Sequence, residues 1–81
     1  MTRVDDFEHG NFQVVCIATP HGARWASAAM LMSLKSIEFD DRPRWFSWDQ
    51  DDAAAALRHA AVCARKLIES GSASARAGFT G

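Results

Sequence analysis

Three groups of side chains in this sequence carry ligating or nucleophilic chemistry. Asp49, Asp51 and Asp52, with Gln50 between them, offer the oxygen donors that a Ca²⁺ or Mg²⁺ loop uses. Such a loop also needs a glycine at its sharp turn and a closing bidentate glutamate, whereas Ala53 to Ala56 follow here. Carboxylates at that place are better explained as caps for the free N–H groups and positive dipole end of a helix. His59 and Cys63 are four residues apart, so on a helix they share one side and could supply two zinc ligands. A closed zinc site needs four, and His9 and His21 fall in a lead-in and a turn. A serine or cysteine nucleophile requires a base and a strained elbow such as G-x-S-x-G, and a phosphate loop requires clustered glycines. The sequence contains neither pattern, so it is expected to be non-enzymatic, with no cofactor and no metal.

The element that would hold most of these residues is a helix over residues 50–70. Asp49 is its expected N-cap, four alanines open it, and Ser70-Gly71 close it, with Gly71 at the position that favours positive φ. At about 100° per residue, Ala53, Ala56, Leu57, Ala60, Ala61, Cys63, Ala64, Leu67 and Ile68 fall on one arc. Arg58, His59, Arg65, Lys66 and Glu69 fall opposite, interrupted by Ala55 and Val62. Arg58, Arg65 and Lys66 form a basic strip that could meet an anionic partner.

Three strands precede the helix. Phe12 to Ala18 is β-branched and aromatic, and Thr19-Pro20-His21-Gly22 ends it with turn chemistry. Arg24 to Leu34 alternates and is expected to continue, bent near Ser36, toward Phe39. Asp40 to Pro43 turns the chain into Arg44–Trp48. The fold class is therefore α+β: a three-stranded antiparallel meander with one C-terminal helix packed on one face. Residues 1–11 are a flexible lead-in, 12–70 the domain, and 71–81 a disordered tail. Ala26 and Ala28 are expected opposite Ala60, Ala61 and Ala64, with Phe12, Val14, Met30, Met32, Phe46 and Trp48 filling the ends and flanks.

If the Ala/Met set of the second strand faces the helix, the reverse face carries Val15, Ile17, Trp25, Leu31 and Trp45. Alternation sends Trp45 and Trp48, three apart, to opposite faces, and Trp48 is expected inward beneath the helix start. A contiguous apolar patch requires an occupant. Val4 and Phe7 of the lead-in or Phe79 of the tail could cover it, a second copy or another protein could bind it, or single-stranded nucleic acid could stack on it.

Composition narrows these options. Among 81 residues, 48% are apolar but 15 are alanine, and net charge is −1. A chain of this size buries about 60% of its unfolded surface, enough for one thin core. Nine basic against ten acidic residues lack the excess on which phosphate binding depends. Cys16 and Cys63 form no C-x-x-C pair, and no signal-peptide or membrane-spanning run is present. A cytoplasmic address and reduced thiols are the default expectation. The expected function is a protein-interaction module associating through the open sheet face. The alternative is a weak nucleic-acid-binding domain that uses Trp25 and Trp45 with Arg24 and Arg44.

The run Trp45-Phe46-Ser47-Trp48-Asp49, followed by Asp52-Ala53, Leu57, Ala61, Ala64 and Leu67-Ile68, resembles small uncharacterised bacterial β-β-β-α proteins over about residues 12–70. That resemblance implies a fold and no activity. The element order is also similar to the core of double-stranded-RNA-binding domains without their first helix, and to the sheet-reading DNA-binding domains of integrases. Neither basic signature is present.

Overall fold

The computed structural model describes residues 1–35 and 42–71. Its elements are β1 (Arg3–His9), β2 (Phe12–His21), β3 (Arg24–Ser33), β4 (Arg44–Gln50) and α1 (Ala53–Glu69). The strands form one antiparallel sheet in the order β1-β2-β3-β4, and α1 lies over one face, chiefly on the two central strands. The α+β class stands, with four strands in place of three.

The additional strand comes from the segment expected to be a flexible lead-in. Arg3 to His9 pair without interruption against Ala18 to Phe12. Gly10 and Asn11 make the two-residue loop, and Gly10 holds φ +62°, as the first central residue of a tight hairpin requires. The Gly-Asn pair was the available signal. It was hidden because Asp5, Asp6 and Glu8 make the strand read as polar, which is how an edge strand stays solvated. Phe7 nevertheless packs against the core, with the Arg65 guanidinium 4.6 Å above its ring. The second hairpin repeats the device at Gly22, φ +63°. Thr19, Pro20 and His21, expected in that turn, belong instead to β2 and pair with Ala26, Trp25 and Arg24.

Along β2, Val14, Cys16 and Ala18 are buried toward the helix. The register sets them beside Leu31, Ala29 and Ser27, so this set of β3 faces α1. Ala26, Ala28, Met30 and Met32 take the opposite face, correcting the expected orientation. Both alternating sets of β3 are apolar enough to be buried, and parity alone moves every side chain across the sheet. Ser27 fits the helix side because its hydroxyl donates to the Ala56 carbonyl at 2.8 Å. Its partners on α1 are small: Ala56, Ala60 and Ala64 are fully buried. Phe12, Phe46, Leu57, Ala61, Leu67 and Ile68 pack around this seam.

The helix begins three residues later than expected. Asp52 is the N-cap, its carboxylate accepting from the Ala55 N–H at 2.8 Å. Asp49 and Gln50 remain in β4, where Gln50 pairs with Trp25. At the other end Gly71 has φ +84°, and its N–H donates to the Ile68 carbonyl at 3.1 Å. The expected strand beyond Lys35 and the expected tail beyond Gly71 lie outside the described residues.

Two variants test this packing. Ala60→Leu should cost about 1–3 kcal/mol, because no space separates helix from sheet there. Phe7→Ala should cost about 1–3 kcal/mol as a half-buried aromatic contact. Chemical denaturation measures both, and an unchanged midpoint for Phe7→Ala would return β1 to the status of an appendage.

Candidate association surface

The sheet face turned away from α1 is built by alternation. β2 presents Gln13, Val15, Ile17 and Thr19; β3 presents Ala26, Ala28, Met30 and Met32, which are their register partners. β1 adds Val4, Asp6 and Glu8, paired with Ile17, Val15 and Gln13. The two central strands thus contribute eight positions to this face without a formal charge. Ala26 and Ala28 are fully buried, forming a floor; Ala28 lies between Ile17 and Trp45.

β4 completes the face through an irregularity. Trp25, Ser27 and Ala28 of β3 pair with Gln50, Ser47 and Trp45. Five steps along β4 therefore span three along β3, leaving two extra residues. Bulges of this kind re-aim side chains, and the parity that would separate Trp45 from Trp48 is lost. The two indoles stack at 4.7 Å with 16° between their planes, and His21 tilts against Trp48 at 5.0 Å. The Ser47 hydroxyl ties this end together, donating to Asp49 and accepting from the Gln50 amide, each at 2.9 Å. Trp45 and Trp48 keep 43% and 49% of their surface exposed.

Of the five residues expected on this face, Val15, Ile17 and Trp45 lie on it. Leu31 does not: it is 5% exposed and belongs to the core with Ala60 and Ala64. Trp25 pairs with Pro20, two positions from the Ala18–Ser27 pair, which sets it on the helix side. Trp48, expected inward, takes its place. Val4 and Phe7 do not fold over the face, since β1 extends the sheet and Phe7 turns toward α1. Met30, Met32 and Trp48 were missed for one reason: each depends on pairing partners rather than on local sequence.

The other candidates are dispersed. Arg58, Arg65 and Lys66 are exposed along α1, but Arg65 is engaged above Phe7, and Glu69 reaches His9 at 3.0 Å. His59 Nε2 and Cys63 Sγ are 3.5 Å apart, and among the described residues no three His, Cys, Asp or Glu side chains converge on a metal site. Both cysteines are free. Burial first, and then the Asp5 carboxylate, push the Cys16 thiol up to about 11, with Arg65 opposing. A thiol so raised is a packing group, not a nucleophile. Among the described residues no helix is long and apolar enough to cross a membrane.

No family model, curated protein or solved structure matches this chain.

The cysteines give a direct check. At pH 8 a thiol reagent should label half-buried Cys63 readily and Cys16 only on unfolding. The folded Cys16 thiol titrates near 11, against an ordinary value of 9.0, so the unfolded state loses its proton first. Stability should therefore fall as pH rises from about 9 to 11, and Cys16→Ala should flatten that slope in urea titrations.

Proposed function

We propose that this chain is a non-enzymatic protein-association module that works through the open face of its sheet. The observation that carries the reading is the distribution of apolar side chains. The largest fully buried side chains are only Val14, Cys16 and Ser27, while Val15, Ile17, Met30, Met32, Trp45 and Trp48 gather on the face away from α1. Among the described residues no element covers them. Contiguous apolar surface of this kind marks association sites, and Trp and Met are enriched at the centres of interfaces.

The stacked indoles also suit a nucleobase, which supports the nucleic-acid reading in part. The charges weigh against it. Asp6 and Glu8 stand on the face itself, and Arg24 beside its far end is paired with Asp51. Carboxylates at that border repel phosphate, whose neutralisation supplies most nucleic-acid affinity. Trp25, which the nucleic-acid reading needs beside Trp45, is on the helix side.

Oxidative footprinting tests the proposal. Met30, Met32, Trp45 and Trp48 should oxidise readily in dilute purified protein and become protected at high concentration or in native lysate. Ile17→Lys, at the centre of the face, should abolish that protection while leaving the helical signal intact. Protection that survives Ile17→Lys, or that falls only on Arg58 and Lys66 and their neighbours, would overturn it.

A further inference from the structure

We propose that His59 and Cys63 form a two-ligand chelate on α1 for a thiophilic divalent cation of the zinc class. The pair lies on the helix, on the opposite side of the sheet from the association face. It therefore stands or falls separately from the association reading.

The distance between the donors carries the inference. His59 Nε2 and Cys63 Sγ are 3.5 Å apart. Zinc bonds of about 2.3 Å to sulfur and about 2.05 Å to imidazole nitrogen, at the tetrahedral angle, put the two donors about 3.6 Å apart. The same bonds at the right angle of square-planar or octahedral ions require about 3.1 Å, and a linear pair about 4.3 Å. Without an ion the contact is a thiol–imidazole hydrogen bond. An ion bonds to the thiolate sulfur and the neutral imidazole in its place, and the thiol proton leaves to solvent.

The helix holds the pair ready. His59 and Cys63 each directly precede a fully buried alanine, Ala60 and Ala64, so packing on the sheet fixes the turn between them. Both are half-buried at the rim of that seam. Solvent reaches them, and little side-chain freedom is left to lose on binding. Chemistry selects the ion. Thiolate with imidazole suits zinc-class cations and disfavours calcium or magnesium, which take oxygen ligands. Lys66, exposed three residues beyond Cys63, adds a positive charge against which a purely electrostatic ion gains little. Among the described residues no third His, Cys, Asp or Glu joins the pair. Water fills the other two positions, which makes this an exchangeable surface site and not a closed structural one.

Co²⁺ is the probe, with reduced protein free of added thiol or chelator. Wild type should bind one ion per chain, with a sulfur-to-cobalt charge-transfer band and the visible bands of a tetrahedral shell, and Zn²⁺ should displace it. Zn²⁺ should also slow thiol labelling of Cys63 and raise the melting temperature, since the spacing exists only in the folded helix. Loss of an outer-shell partner already weakens metal sites about ten-fold, so Cys63→Ser and His59→Ala should each weaken binding by more than that. Cys16→Ala and His21→Ala, which keep the pair, should bind as wild type does, and circular dichroism confirms that each variant is folded. The wild-type labelling and melting shifts decide the matter where a variant does not fold. A wild type with neither band nor shift overturns the site. A band that survives His59→Ala belongs to a lone thiolate and overturns the chelate. Saturation at one ion per two chains overturns the open shell.

Discussion

The close approach of α1 to the sheet is the constraint from which the rest of this structure follows. At its centre the Ser27 hydroxyl donates 2.8 Å to the Ala56 carbonyl, a distance that only small residues on both surfaces permit. Ala56, Ala60 and Ala64 supply the helix side, spaced by four; Ser27, Ala29 and Cys16 supply the sheet side. A seam this narrow holds no large side chain, so Phe7, Phe12, Phe46, Leu57, Leu67 and Ile68 pack around its margin. The hydroxyl is fully buried and its hydrogen bond is satisfied, which makes Ser27 compatible with a dry contact.

The same constraint explains the other face. With the central helix-facing positions of β2 and β3, Cys16, Ala18, Ser27 and Ala29, given to small residues, the apolar side chains Val15, Ile17, Met30 and Met32 of the alternate set are turned away from the core. A chain of 81 residues with so thin a core has little stability to spare, and an apolar face that a partner covers adds to it by mass action. On the reading proposed above, stability and association are coupled in one sheet, through the two sides of the same strands. β4 adds its own contribution, because its extra residues bring Trp45 and Trp48 together where a regular strand would separate them.

The ionisable groups serve the architecture. Asp52 caps α1, His9 and Glu69 join the β1–β2 hairpin to the helix end, and Arg65 covers Phe7. Gly10 stands at that junction, where a Cβ would come within 3.4 Å of Ile68. Cys16 lies beneath the helix with its thiol held protonated. Charge on β1 has a second effect, since Asp5, Asp6 and Glu8 keep an exposed edge strand from pairing indiscriminately.

Local sequence alone determined the helix, its inward alanine stripe, its glycine stop and the cores of three strands. Each follows from propensity, periodicity and caps within a few residues of chain. It also determined that no compact catalytic motif is present. Tertiary structure decided which alternate set of β3 faces α1, because Ala26–Ala28–Met30 and Ser27–Ala29–Leu31 differ too little in hydrophobicity for parity to be read from one strand. That choice needs the helix, whose Ala56 carbonyl gives Ser27 its partner. Pairing with β2 likewise turned a polar segment into β1, since Phe7 gains burial only when its hairpin closes. The side on which Trp48 stands was settled last, by bulges in β4 that exist only against the register of β3.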